Sequence, residues 1–143
     1  MRHSRRAAHT VYEIHYHFVF TTKYRKRVLR GEVAERVRDL TREICRTHDI
    51  DIVRGHVRPD HVHLLLSVPP HVSASRVMQS IKGKTSHHLL RDYRRLNREC
   101  WGRHVWARGY FVCSSGNVTD EVIAEYIERQ DVGGADPDFK ISE

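Results

Sequence analysis

The stretch HVHLLLSV, residues 61–68, limits the fold of this chain more than any other, because two kinds of side chain alternate along it. Residues two apart in a β-strand share one face and lie roughly 6.5 to 7 Å from each other. His61 and His63 therefore lie side by side. The other face is apolar enough to belong to a core and consists of Val62, Leu64, Leu66 and Val68. The pattern predicts a strand with one face in the core and a pair of imidazoles on the other.

Three further strands are predicted around this one. Residues 58–60, Arg-Pro-Asp, have turn chemistry and separate the strand from an earlier one over residues 49–57, so these two strands should form a hairpin. Residues 11–20 alternate cleanly between apolar and polar side chains, which predicts a strand near the start of the chain. A fourth strand is predicted over residues 110–114.

Helical spacing of apolar residues predicts three helices, over residues 31–48, 73–93 and about 118–130. The second begins at a serine cap and is interrupted by Gly83, a candidate kink. The order strand, helix, strand, strand, helix, strand, helix is that of an α+β, ferredoxin-like split βαββαβ antiparallel sheet. An additional C-terminal helix carries Tyr126. This fold supports many functions and selects none of them.

The length of 143 residues suits a single domain. We expect that domain over residues 1–130, with a basic start over residues 1–10 and a flexible tail over residues 131–143. No apolar run is long enough to cross a bilayer, and the start of the chain lacks the apolar stretch of a signal peptide. The three cysteines are widely spaced and include no CxxC motif. These features predict a protein of the reducing cytoplasm with no membrane partner.

Charge and the last predicted helix point to a class of chemistry. The net charge of +7 and the pI near 9.7 favour an acidic partner, and nucleic acid is the first candidate. Tyr126 and Gln130 are four residues apart and share a helical face. Together with His61 and His63 they are the parts of a metal-assisted covalent phosphoryl transfer. Each part alone has an ordinary explanation: polar surface for the histidines, core packing for the tyrosine, and a solvated helix end for the glutamine.

Five segments of the chain resemble the single-tyrosine HUH transposases of small bacterial insertion sequences, the TnpA type or IS200-like family, in that family's order. Their central motif is His61, Val62, His63, and their last is a tyrosine followed four residues later by a glutamine. The resemblance covers roughly residues 11–130. The segments are YHFVFTTKYRKRVL, PDHVHLLLSVPP, IKGKTSHHL, WARGYFVCSSGNV and IAEYIERQ.

The resemblance implies roles for individual residues. His61, His63 and Gln130 would bind a divalent ion, either Mg²⁺ or Mn²⁺. Tyr126 would be the nucleophile that attacks single-stranded DNA, leaving a 5′-phosphotyrosine link and a free 3′-hydroxyl. Members of the family are homodimers that recognise DNA hairpins at the ends of the element. The helix that carries the tyrosine can serve the histidines of its own chain or those of its partner.

Basic residues in two places would then bind the phosphates of a hairpin. Lys82, Lys84 and Arg76 belong to the predicted middle helix, and Arg25 belongs to the loop after the first strand. Tyr24, within that loop, could stack on an unpaired base. Three arginines near the start of the chain are expected to be loose, and two histidines of the first strand are interpreted as surface or substrate-side residues. These are Arg2, Arg5, Arg6, His15 and His17.

Two other functions fit the same residues. A non-catalytic nucleic-acid-binding domain of this fold would bind hairpins in a salt-sensitive way, without regard to metal or to Tyr126. A metal hydrolase that uses water as its nucleophile would release cut DNA with no protein attached.

Overall fold

The structure, a computed structural model, describes residues 4–100, 104–114 and 120–129. Gln130, Arg2, the predicted helix start at residues 118 and 119 and the predicted tail over residues 131–143 lie outside the described residues. The strands are β1 (Arg5–Ala7), β2 (Thr10–Tyr12), β3 (His15–Thr21), β4 (Asp51–Arg58), β5 (His61–Ser67) and β6 (Phe111–Cys113). The α-helices are α1 (Gly31–Thr47), α2 (Ala74–Asp92), α3 (Arg94–Glu99) and α4 (Asp120–Glu128), and a short 3-10 turn spans Lys23–Arg25.

Four of the strands form one antiparallel sheet in the order β4, β5, β3, β6. The central pair runs in register from His15 opposite Ser67 to Thr21 opposite His61. The hairpin of β4 and β5 turns at residues 59 and 60, as predicted. Because α1 connects β3 to β4 and α2 connects β5 to β6, the arrangement is the ferredoxin-like one. The predicted α+β fold class is confirmed.

One face of the sheet forms the main core. Every second residue of β3 and β5 is apolar and packs in this cluster, where all of them except the partly buried Tyr16 are buried. The helices α1 and α2 contribute their apolar sides to the same cluster. Each fully buried side chain of this kind stabilises the fold by roughly 1.5–3 kcal/mol. The central members of the cluster are Phe18, Phe20, Val62, Leu64, Leu66, Val37, Ile44, Val77 and Ile81.

The helix α2 runs without a break through Gly83, so the candidate kink is wrong. It starts as predicted, because the Ser73 hydroxyl accepts a hydrogen bond from the backbone N–H of Arg76 at 3.1 Å. It ends where Tyr93 takes an extended conformation, with φ −126° and ψ 99°. The charged stretch that follows is helical as well and forms α3.

The start of the chain differs from its prediction. The predicted strand over residues 11–20 is divided in two: β2 pairs with β1 in a separate hairpin, and β3 joins the main sheet. Arg5 is not loose, because its guanidinium contacts Asp49 at 3.1 Å, Asp51 at 3.3 Å and the backbone oxygen of Ser67 at 3.1 Å. These partners come from distant parts of the chain, and a basic composition alone does not reveal them.

The helix α4 lies against the other face of the sheet. Val19 of β3 and Phe111 of β6 alternate with core residues and therefore point away from the main core. With Tyr126 and Ile127 of α4 they form a second, smaller apolar cluster. Among the described helices, none is both long and apolar enough to cross a membrane.

Candidate active site on the histidine face of the sheet

The face of the sheet opposite the main core carries histidines from three strands. We call it the histidine face and define it by His17 of β3, His56 of β4, and His61 and His63 of β5. Residues directly opposite each other in antiparallel strands point to the same side. In the neighbouring strand β4, His56 is opposite His63. In β3, on the other side of β5, Val19 is opposite His63, and His17 lies two residues before Val19 and so points to the same face. The strand pattern predicted that His61 and His63 share a face, and the order of the strands in the sheet adds His17 and His56 to that face.

His61 is held by the residue before it. Its Nδ1 lies 2.9 Å from Oδ1 of Asp60, whose side chain is only 10% exposed. Burial alone would raise the pKa of Asp60, but the hydrogen bond from His61 and the positive charge of Arg25 keep that pKa below its ordinary value. Since a carboxylate only accepts hydrogen bonds, Nδ1 of His61 donates, which leaves Nε2 as the nitrogen of this ring that could bind a metal ion.

His63 is packed among other imidazoles. Its Nε2 lies 3.2 Å from Nδ1 of His17, and its ring centroid is 5.5 Å from that of His17 and 6.2 Å from that of His56. Burial, followed by the neighbouring His17 and His56, lowers the pKa of His63 to about 4. The ring is therefore neutral at pH 7, which metal binding requires. Binding a metal through Nε2 requires His17 to release that nitrogen.

His17 was predicted to be a surface or substrate-side residue, but it is half-buried against His63. Burial, with the charge of Arg54 and the nearby His15, also lowers the pKa of His17. A signal in the sequence could have found it. The apolar face of the first strand has to join the core, so its polar face, with His17, has to lie on the same side of the sheet as His63.

Two of the three predicted metal ligands lie on one face, and the third lies outside the described residues. His61 and His63 offer imidazole nitrogens, a donor type that suits Mn²⁺ better than Mg²⁺. Within the described ranges, no group of three or more histidine, cysteine, aspartate or glutamate side chains is placed to hold a metal ion. A complete site needs a donor of another kind, such as the amide of Gln130, or oxygen atoms from DNA and water.

Tyr126 lies on the histidine side of the sheet and is almost fully buried, with 1% of its surface exposed. The ring centroid of Tyr126 is 5.8 Å from that of Phe111. Tyr126 belongs to the same apolar cluster as Val19, and Val19 is the residue opposite His63 in the sheet. The burial raises the pKa of its hydroxyl well above the ordinary value. In this arrangement the phenolate form is disfavoured, so a nucleophilic Tyr126 requires its hydroxyl to leave the cluster or to gain a positively charged neighbour.

The predicted DNA-binding residues of α2 have different surroundings. Arg76 and Lys84 are exposed. Lys82 donates hydrogen bonds to the backbone oxygens of Ala107 at 2.9 Å and Gly109 at 2.7 Å. Burial lowers the pKa of Lys82 to about 8. Lys82 therefore holds the loop before β6 against α2, and only Arg76 and Lys84 present their charges freely to solvent.

The loop after β3, residues 23–25, has an unusual backbone. Tyr24 and Arg25 have φ angles of 59° and 53°, in the left-handed region that side chains other than glycine rarely adopt. Tyr24 is 39% exposed, and the Lys23 ammonium lies 5.6 Å from its ring centroid. Nε of Arg25 lies 3.5 Å from Oδ2 of Asp60. The basic loop and His61 thus share one carboxylate.

Comparison with known proteins identifies relatives over nearly the whole chain. The family model described as "Transposase IS200 like" matches residues 10–130. The ISDra2 transposase TnpA of Deinococcus radiodurans is 34% identical over 120 residues, which are 84% of this chain and 86% of that protein. The transposase for insertion sequence element IS200 of Salmonella typhimurium is 36% identical over 123 residues, covering 86% of this chain and 80% of that protein.

Solved structures agree with this assignment. A crystal structure of a candidate transposase from Deinococcus radiodurans superposes with a TM-score of 0.82 at 31% identity, covering 89% of this chain and 98% of that one. The structure of a REP-associated tyrosine transposase bound to a REP hairpin superposes with a TM-score of 0.56 at 17% identity, covering 88% of this chain and 72% of that one. The second likeness shows a shared fold.

Proposed function

Because the chain belongs to the family of IS200-like transposases, we propose that it cuts and rejoins single-stranded DNA at the hairpin-flanked ends of a mobile element. The single observation that carries this proposal is the position of Tyr126. It packs on the same sheet face as His61 and His63, through Val19, the residue opposite His63. A nucleophile and two metal ligands on one face are what metal-assisted phosphoryl transfer requires.

His61, His63 and Gln130 would hold one divalent ion, Mg²⁺ or Mn²⁺. When bound, the ion polarises the scissile phosphate and offsets the charge that develops on it. The hydrogen bond from Nδ1 of His61 to Asp60 supports this role, because it keeps Nε2 available. The neutral ring of His63 supports it as well, because a protonated imidazole cannot bind a cation.

Tyr126 would make the covalent bond to DNA. Its hydroxyl oxygen attacks the phosphorus of a phosphodiester, the bond from phosphorus to the 3′ oxygen breaks, and that oxygen takes up a proton. The 5′ phosphate stays joined to the tyrosine. Since the new phosphodiester retains the energy of the old one, the 3′-hydroxyl of another strand can attack it and join the strands without ATP.

The burial of Tyr126 constrains this step. Only 1% of the surface of Tyr126 is exposed, so its hydroxyl cannot meet a DNA phosphate where it lies, and α4 has to move before attack. We propose that the active protein is a homodimer and that the displaced α4 serves either its own histidine face or that of the partner. The cluster holding α4 is small, with four buried members among the described residues, which favours such a movement.

The DNA would be bound by the basic loop and by α2. Arg25 and Arg76 supply charge for phosphates, Lys84 adds to it, and Tyr24 offers an exposed ring for an unpaired base. Lys82 would act mainly by placing the loop before β6. Hairpins are the first ligands to test, since a protein of the same fold is bound to a REP hairpin.

The test is a denaturing gel of the protein with end-labelled single-stranded oligonucleotides from the flanks of its gene, with Mn²⁺ or with EDTA. We expect a metal-dependent band in which the DNA carries one protein of 16.9 kDa. Tyr126→Phe should abolish that band and keep hairpin binding, because only the attacking oxygen is removed. The matched control is Tyr93→Phe, a partly buried tyrosine in the main core, which should still form the band.

Other outcomes decide between the remaining functions. Cut DNA with no attached protein would indicate a hydrolase that uses water. Hairpin binding with no cleavage in any metal would indicate a non-catalytic DNA-binding domain. A mixture of Tyr126→Phe with His63→Gln, each inactive alone, should regain the band if α4 serves the partner's histidines, and should stay inactive if each chain uses its own.

A further inference from the structure

We propose that Asp60 is a positioning residue that orients the ring of His61 and joins it to the basic loop at residues 23–25, so that DNA bound at the loop strengthens metal binding at His61. The coupling rests on the proposed function, in which the loop binds phosphate and His61 binds the metal. The orientation of His61 does not depend on that function.

The first half of the argument is the bond to His61. Asp60 is 7% exposed and its Oδ1 lies 2.9 Å from Nδ1 of His61. The contact is short and largely shielded from water, where a charge-assisted hydrogen bond is strong. It places the ring hydrogen on Nδ1 and prevents the ring from turning. A loose His61 would present a lone pair in the right direction only part of the time.

The second half is the attachment of the loop to the same residue. Thr22 donates its backbone N–H to the backbone oxygen of Asp60 at 3.0 Å, and its hydroxyl donates to the backbone oxygen of Lys26 at 2.7 Å, which closes the loop next to Asp60. Arg25 reaches the carboxylate from the other end of the loop at 3.5 Å. Two consecutive left-handed residues, Tyr24 and Arg25, cost of order 1–3 kcal/mol each and persist only where neighbours hold them.

The sharing of one carboxylate gives the direction of the coupling. A DNA phosphate near the loop competes with Asp60 for the guanidinium of Arg25, because both are anions. When Arg25 turns to the phosphate, Asp60 keeps His61 as its remaining side-chain partner. The hydrogen bond to Nδ1 then strengthens and makes Nε2 a better donor to a metal. By linkage, metal bound at His61 must tighten DNA binding by the same factor.

The first measurement is ¹⁵N NMR of histidine-labelled, metal-free protein at about pH 8, where histidine side chains are ordinarily neutral. The signals of His61 are assigned with a His61→Gln variant. We expect the hydrogen on Nδ1 in the natural protein and a loss of that preference in Asp60→Ala. The same preference in Asp60→Ala as in the natural protein would overturn the positioning role. This readout needs neither metal nor DNA, so it decides the question even if the proposed function fails.

The second measurement is calorimetric titration with Mn²⁺, with and without a DNA hairpin. Asp60→Ala should weaken Mn²⁺ binding by about 10–100-fold. Asp60→Asn should weaken Mn²⁺ binding less, because its amide oxygen can still accept a hydrogen bond from His61. This variant also provides the measurement if Asp60→Ala does not fold. Asp39→Asn removes an equally charged, exposed carboxylate on α1 that pairs with Arg42 at 3.1 Å, and it should bind like the natural protein.

The coupling is tested through Arg25. In the natural protein the hairpin should tighten Mn²⁺ binding several-fold, and in Arg25→Gln that gain should disappear, whereas Arg42→Gln should keep it. Hairpin binding that leaves Mn²⁺ affinity unchanged in the natural protein, or a gain that survives in Arg25→Gln, would overturn the coupling.

Discussion

The two faces of the four-stranded sheet are built from alternate residues of the same strands, yet different interactions stabilise them. On the core face, Phe18, Phe20 and Leu66 are fully buried among other apolar side chains, and their contribution depends on area and fit. On the histidine face, His61 and His63 are held by single partners, Asp60 and His17, at hydrogen-bond distance. The contacts of the core face are many and interchangeable, and those that hold the two histidines are few and specific.

This difference explains where the fold can tolerate change. A core residue can be replaced by another apolar residue of similar volume at a cost below about 1.5 kcal/mol. Under the proposed function, a residue of the histidine face should be replaceable with little loss of stability but with loss of metal binding or catalysis. We therefore expect the period of two along each strand to separate stability from function. Three substitutions test that separation, in order from the largest expected effect to the smallest, and a fourth serves as a control for the second.

Phe18→Ala should lower the free energy of unfolding by about 3–5 kcal/mol, because it leaves a cavity next to Tyr16 and Tyr110. The measurement is denaturant unfolding followed by circular dichroism. The affinity of the folded fraction for Mn²⁺ should stay that of the natural protein. A loss below about 1 kcal/mol, or a large loss of Mn²⁺ affinity in folded protein, would contradict the separation of the two faces.

Thr21→Val should raise the free energy of unfolding by about 1 kcal/mol. Thr21 is fully buried opposite His61, and its hydroxyl has no hydrogen-bond partner in the part of the chain that the structure describes. The variant removes that polar group and keeps the shape of the side chain. Such a gain would show that the histidine face is less stable than it could be.

Thr85→Val is the matched control for Thr21→Val. Thr85 is equally buried, but its hydroxyl accepts a hydrogen bond from Nε1 of Trp106 at 2.8 Å and donates to the backbone oxygen of Ile81 at 2.6 Å. It should lose about 1–3 kcal/mol, since the indole N–H is left unsatisfied. Equal effects of the two variants in thermal unfolding would rule out the assigned difference between their hydroxyls.

His63→Gln should flatten the dependence of stability on pH in metal-free protein. The pKa of His63 is lowered to about 4 in the folded state, so between about pH 6.5 and pH 4 the unfolded chain binds the proton more readily. Protonation therefore favours unfolding in that window, and the natural protein loses stability as the pH falls through it. Urea unfolding in EDTA at several pH values measures the slope, and identical slopes in both proteins would refute this origin.

The strand and helix pattern was largely predictable, because it depends on neighbours within a few residues. Alternation predicted β5, and the sequence pattern also indicated β6, α1 and α2 and hence the order of the ferredoxin-like sheet. The prediction failed where a distant partner decides the local structure. The first strand is split because β2 pairs with β1, and Arg5 anchors that hairpin to Asp49 and Asp51.

For the candidate site, the sequence indicated which residues to consider but not what surrounds them. Spacing placed His61 beside His63 and placed Tyr126 on the last helix, while the roles of these residues and of Gln130 stay predictions. Nothing local indicated that Lys82 is committed to the backbone oxygens of Ala107 and Gly109, because those acceptors lie 25 and 27 residues further along the chain.

By itself, the sequence determined which side chains share a face of each strand, because a strand has a period of two whatever it pairs with. The tertiary structure decided which faces meet. It set His17 against His63, buried Tyr126 over Val19, and brought Arg25 to Asp60. These contacts depend on strand order, register and the return of distant loops. They form only when burial of the whole apolar face compensates for the loss of chain entropy, which no short stretch of sequence can achieve alone.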